Sequence, residues 1–187
     1  MRVWSTELPE VMIVEPDVYR DPRGYLLETY QSQRYPELGI RASFVQDNLS
    51  CSSRGILRGL HYQLGRPQGK LVTVMQGCIF DVAVDIRVGS STFGRWVGVE
   101  LSSDDHRQIY VPEGFAHGFC VLSETAVVLY KCTDYYAPPE ERGILWNCPT
   151  LGIPWPVREP VLSAKDAALP TLKAASEADF PRFVSSD

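Results

Sequence analysis

The chain has 187 residues, 44% of them hydrophobic and 11% aromatic, enough for one substantial core, since a 150-residue domain already buries roughly 70% of its unfolded surface. Its formal net charge of -5 is spread without a lysine or arginine run, which argues against a phosphate-tracking nucleic-acid surface and leaves any anionic ligand to a few focused cations. Five cysteines, an odd number with no CxxC pair, read as reduced, buried thiols of a cytoplasmic protein, and neither a leader nor an apolar run of the ~20 residues that span a membrane is expected.

The first helical signal lies near Gln31 to Leu38. From about residue 44 to 136 the chain alternates short apolar runs with turn residues, and the runs 71–75, 79–86, 96–101, 108–111 and 126–130 each fit a strand better than a helix. Gln76-Gly77, the stretch 87–91 and Pro112-Glu113-Gly114 supply turns at the roughly 8–12 residue spacing of an all-β sandwich or barrel. Within 79–86, Asp81 and Asp85 fall on one strand face and point into a polar cavity or a hydrogen-bonded network. A last helical turn opens at Ser163-Ala164-Lys165-Asp166 with Ser163 as its cap. One domain, 1–187, is expected, with a core over about 8–172 and a surface tail at 173–187. Neither GxGxxG nor a Walker lysine loop occurs, which excludes Rossmann and P-loop nucleotide sites.

Three histidines narrow the search for a base. His106, in Ser102-Ser103-Asp104-Asp105-His106-Arg107, reads as part of an exposed turn. His61 lies in Arg58-Gly59-Leu60-His61-Tyr62-Gln63, and His117 in Pro112-Glu113-Gly114-Phe115-Ala116-His117. This Pro-x-Gly-x-x-His segment resembles the second motif of the cupin β-barrels. A metal-binding cupin also needs a His-x-His pair and a glutamate, whereas here the pair reads His61-Tyr62-Gln63 and is followed by Arg66 and Lys70. No metal and no cofactor are therefore expected, and the imidazoles become available for proton transfer near neutral pH. Such a base needs an orienting carboxylate, for which Asp166, Asp81 and Asp85 all remain open. Arg23, Arg58 and Lys70 are the cations to hold a diphosphate or stabilise an enolate. Arg58 and His61 stand three apart, so a turn or bulge must bring them to one face. Tyr130 can serve as a phenolic acid opposite the base, and Tyr136 can stack on a ring.

Taken together, Asp21-Pro22-Arg23-Gly24 with Glu28, Phe44-Val45-Gln46-Asp47-Asn48, Leu57-Arg58-Gly59-Leu60-His61-Tyr62-Gln63, Gln68-Gly69-Lys70, Ser91-Thr92-Phe93-Gly94, the His117 segment, Leu129-Tyr130-Lys131 and Leu162-Ser163-Ala164-Lys165-Asp166 resemble the dTDP-4-dehydrorhamnose 3,5-epimerases. The resemblance implies a jelly-roll cupin barrel without metal or cofactor, and a homodimer in which an N-terminal segment crosses to the partner. It further implies a dTDP-4-keto-6-deoxysugar as substrate. His61 would be the proton acceptor, Asp166 its orienting carboxylate, Tyr130 the proton donor, and Lys70 and His117 the groups that stabilise the enolate and position the sugar. Arg23, Glu28, Gln46, Asp47, Asn48, Arg58, Glu141 and Lys165 would bind substrate, with Tyr136 stacking on it. An epimerase inverting only C3 or only C5 of a related keto sugar is the alternative. Two departures stand out: Trp146-Asn147-Cys148 carries a thiol where the family usually has aspartate, and Tyr25, Leu26 and Leu27 replace the usual phenylalanines.

Overall fold

Side chains that alternate between two buried surfaces decide the architecture of this chain, whose computed structural model describes residues 1–184. The strands are β1 (Arg2–Ser5), β2 (Met12–Glu15), β3 (Val18–Asp21), β4 (Gly24–Leu27), β5 (Gln46–Ser53), β6 (Leu57–Gln63), β7 (Lys70–Gln76), β8 (Cys78–Asp85), β9 (Trp96–Ser102), β10 (Gln108–Val111), β11 (Phe115–Val121), β12 (Thr125–Cys132) and β13 (Glu141–Gly143), with short helices α1 (Arg34–Glu37) and α2 (Ala164–Ala167). They form a six-stranded sheet, β1-β2-β10-β7-β12-β5, facing a five-stranded sheet, β13-β6-β11-β8-β9, with β3–β4 as a separate hairpin. All pairings between these strands are antiparallel. The result is the expected all-β jelly roll, built as two facing sheets rather than one closed barrel.

Val72 and Val74 of β7, Ala126 and Val128 of β12, Ile79 and Ala83 of β8 and Phe115 and Phe119 of β11 meet in one core between the sheets. The outer side of the five-stranded sheet is buried as well. There Leu57, Leu60, Tyr62, Val82, Val84 and Cys120 pack beneath Ile144, Cys148, Trp155, Leu172 and Phe180. Burial on both faces is why β8 reads in sequence as a nearly unbroken apolar run. A third cluster, Val14, Tyr35, Ile40 and Leu71, seats α1, where Tyr35 donates to Gln108 Oε1 at 2.7 Å.

Every strand and both helical turns expected between residues 31 and 168 are present, but three readings need correction. Strand pairing begins at Arg2, whereas the sequence pattern placed it from about residue 44; four-residue strands are too short for their alternation to stand out. His106 is 8% exposed, not part of an open turn, because the β3–β4 hairpin lays Tyr25 over it with ring centroids 4.7 Å apart. Cys51 is exposed, unlike buried Cys120, Cys132 and Cys148. The tail is tied to the body at two points: Phe180 is buried against Tyr62 and Phe93, and the Phe183 N–H bonds to the Val88 carbonyl. Residues 185–187 lie outside the described part.

One irregularity shapes the site. His61 pairs with His117 and Arg58 with Phe119, so β6 advances three residues while β11 advances two. This is the bulge that the spacing of Arg58 and His61 required, and it brings both to one side of the strand. Gly59 makes it feasible: its φ is +115°, and a Cβ there would lie 2.6 Å from Gly118 Cα, so only glycine fits.

Candidate active site

Between the two sheets opens a cavity of about 460 Å³, lined by Arg58, His61, Lys70, His117, Tyr130, Lys165 and Asp166 among others. His61 enters from β6, and its Nε2 lies 2.7 Å from Asp166 Oδ1. Asp166 reaches β6 from the first turn of α2, where the Ser163 side chain accepts the Asp166 N–H and caps the helix. The Gly59 N–H donates to the other Asp166 oxygen at 3.3 Å, so the bulge also serves the carboxylate. Burial works against the Asp166 charge, but hydrogen bonds from His61 and Gly59 prevail and hold its carboxyl below the usual range. With Nε2–H donated to that carboxylate, the basic lone pair of His61 resides on Nδ1. Of the three carboxylates left open by the sequence, Asp166 is thus the partner of His61.

Asp81 and Asp85 have other work. Asp81, fully buried, binds His117 Nε2 at 2.9 Å. Asp85 binds Arg87, Ser90 and Thr92, and Arg87 continues to Glu10. Both aspartates therefore sit in buried hydrogen-bonded networks, as their shared strand face implied.

On the facing sheet, Lys70 is 9% exposed and forms no ion pair among the described residues. Desolvation depresses its pKa, opposed by Cys132, Asp81 and Glu141. Tyr130 stands one strand away on β12, opposite Val72, and desolvation raises its pKa, so the phenol keeps its proton at neutral pH. A second cavity of about 270 Å³ shares His61, Lys70, Tyr130, Tyr136 and Glu141 with the first and adds Gln46, Asn48, Gln63 and Gln68. At the rim Glu141 accepts from Lys165 and from the Tyr136 hydroxyl. Burial opposes the Glu141 charge, yet these bonds and the nearby His61 keep its pKa low.

Eleven of the expected site residues therefore gather around the two cavities: Gln46, Asn48, Arg58, His61, Lys70, His117, Tyr130, Tyr136, Glu141, Lys165 and Asp166. Three stand apart within this chain. Arg23, on the exposed hairpin, bonds Asp21; Glu28 bonds Arg34; and Asp47 points from the outer face of β5 to Lys131. Gln63 was missed, although it lies two residues from His61 on the same strand and so on the same face. For a cation the donor set is poor: His61 and His117 are each committed to a carboxylate beside Lys70, and among the described residues no three His, Cys, Asp or Glu side chains gather as ligands. No described helix is long and apolar enough to cross a membrane.

The sequence profile of the dTDP-4-dehydrorhamnose 3,5-epimerase family matches residues 5–174. The dTDP-4-dehydrorhamnose 3,5-epimerase of Salmonella typhimurium is 54% identical over 178 residues, covering 94% of this chain and 97% of that protein. That of Pseudomonas aeruginosa is 52% identical over 184 residues, covering 97% and 100%. Among solved structures, dTDP-6-deoxy-D-glucose-3,5-epimerase from Legionella pneumophila, in complex with dTDP-4-keto-L-rhamnose, superposes with a TM-score of 0.95 at 52% identity, covering 98% of this chain and 99% of that one. A profile match over most of the length, relatives above half identity and a superposable fold agree: the chain belongs to the dTDP-4-dehydrorhamnose 3,5-epimerase family.

Proposed function

We propose that this chain is an isomerase that converts dTDP-4-dehydro-6-deoxy-D-glucose to dTDP-4-dehydro-L-rhamnose, a step toward dTDP-L-rhamnose. The observation that carries the mechanism is the His61–Asp166 pair opening on the same cavity as Tyr130 and Lys70. The C3 and C5 hydrogens flank the C4 ketone, so removal of either proton leaves an enolate with its charge on the C4 oxygen. His61 Nδ1 takes the proton, Asp166 stabilises the resulting imidazolium, and Lys70 stabilises the oxyanion with His117 positioning the sugar. A desolvated ammonium gains more from an oxyanion than one in water does. Tyr130 then returns a proton from the opposite face, inverting the carbon. Carbon acidity comes from the ketone itself, so the reaction consumes no redox equivalent.

Arg58 binds the diphosphate as a planar fork, while Gln46, Asn48, Glu141 and Lys165 hold sugar and nucleotide and Tyr136 stacks on a ring. Arg23 and Glu28 do not reach this cavity in their own chain, and Tyr19, Tyr25 and Leu26 beside them are exposed. Both facts favour a homodimer in which the β3–β4 hairpin crosses to the partner's site; sedimentation should give the mass of two chains. The test of the chemistry is incubation with dTDP-4-dehydro-6-deoxy-D-glucose in deuterated water, followed by proton NMR. Deuterium is expected at C3 and C5 with the rhamnose configuration in the product, and a His61→Ala variant should lose both. Retained exchange in that variant would refute the base, and exchange at one carbon alone would point to a single-centre epimerase.

A further inference from the structure

Arg58 differs from most arginines of the molecule in having no carboxylate partner among the described residues. Arg87 is tied to Asp85 and Glu10, Arg66 to Asp134 and Arg107 to Asp105. Arg58 instead donates from Nε and Nη2 to a single neutral acceptor, Ser52 Oγ, at 3.1 and 3.0 Å. Ser52 is 4% exposed and does not line the cavity, whereas Arg58 does. The two residues come from different sheets. Ser52 is on β5, opposite Ala126, on the inward face it shares with Gln46, Asn48 and Ser50. Arg58 is on β6 at the bulge.

We propose that Ser52 is a positioning residue for anion recognition, holding Arg58 so that the diphosphate of the substrate meets a preset fork. A guanidinium carries five N–H groups in one plane. With the Nε–Nη2 edge committed to Ser52, the Nη1–Nη2 edge is left for a phosphate. The neutrality of the acceptor matters as much as its place: a carboxylate there would grip the arginine harder but cancel the charge that the ligand needs. The inference rests on the nucleotide-sugar reading above and assigns to it a residue that touches no substrate.

Calorimetry with thymidine diphosphate and with thymidine, beside steady-state kinetics on the keto sugar, tests the assignment. Ser52→Ala should raise KM and the thymidine diphosphate Kd roughly 5- to 20-fold, leaving kcat and thymidine binding unchanged. Ser52→Thr should restore the parent values. Ser52→Asp should weaken thymidine diphosphate binding at least as much as the alanine does. Unchanged diphosphate binding in Ser52→Ala, equal loss of thymidine affinity, or tighter diphosphate binding in Ser52→Asp would overturn it. Should Ser52→Ala not fold, the contrast between threonine and aspartate decides by the same criteria. Failure of the parent protein to bind thymidine diphosphate would sink the nucleotide reading itself, an outcome separate from the others.

Discussion

His61 and His117 face each other across two paired strands, yet their partners divide their work. Each has one carboxylate, but Asp81 and His117 are both almost sealed from solvent, whereas His61 keeps its side chain 27% exposed toward the cavities. An open imidazole with a buried orienting carboxylate is the arrangement that general-base catalysis needs. Asp166→Asn should therefore lower kcat by about 10²–10⁴ with little change in KM, because the amide no longer fixes the tautomer or stabilises the imidazolium; steady-state rates of the keto-sugar conversion check this. At this scale the sequence was informative about residue type and silent about pairing. His61, Lys70 and Tyr130 stood out by chemistry and by resemblance. The choice among Asp166, Asp81 and Asp85 depends on a contact between residues 105 positions apart, which no local pattern encodes. The thiol at Cys148 also becomes intelligible: Cys148 is buried in the core outside the five-stranded sheet, its sulfur accepts the Leu172 N–H at 3.3 Å, and it lines neither cavity.

Among the elements, β6 matters most, and its bulge is the device that puts an arginine and a histidine on one face. The need for it could be read from the three-residue spacing, but not the way Gly59 and Gly118 meet it by backbone contact. Gly59→Ala should lose roughly 2–4 kcal/mol of stability, from positive φ and the clash with Gly118, and most activity with it. Denaturant unfolding alongside the deuterium exchange assay would measure both. The short helix α2 is the complementary case, since Ser163 as cap and Asp166 in the first turn were legible from four consecutive residues. The N-terminal strands were not, because their pairing partners rather than their own pattern make them strands: β2 is held by β1 on one side and β10 on the other.

Across the whole molecule, three shielded carboxylates with depressed pKa values hold segments in place: Asp85 fixes the adjacent 87–92 turn, Asp166 joins α2 to β6, and Glu141 binds Lys165. In each case burial opposes the charge and hydrogen bonds from cations, hydroxyls, the His61 ring or backbone N–H groups overcome it. Because the folded values lie below the ordinary 3.8 and 4.5, the unfolded chain takes up protons first as pH falls. Their stabilisation is complete above that range, begins to fade as pH drops through about 4, and is lost below the folded values. Urea midpoints should therefore stay level in this respect between about pH 5 and 7 and fall steeply toward pH 3. An Asp85→Asn variant should start lower at neutral pH and converge on the parent in acid. The all-β class was legible from strand spacing and the jelly roll from the family resemblance, whereas the covering of the five-stranded sheet by the C-terminal segment was not, since Phe180 and Phe183 are isolated aromatics in a largely polar stretch.

Phe119 belongs at once to the wall of the larger cavity and to the core between the sheets, and Tyr130 packs against that same core. Any change of volume at this floor is felt by the packing that keeps the sheets together. Ile56, Tyr136, Val161 and Lys165 at the rim carry no such double duty, being partly or fully exposed. Evolution toward new sugars, or a laboratory library seeking them, would find its tolerated variation around the entrance, while the interior permits little drift.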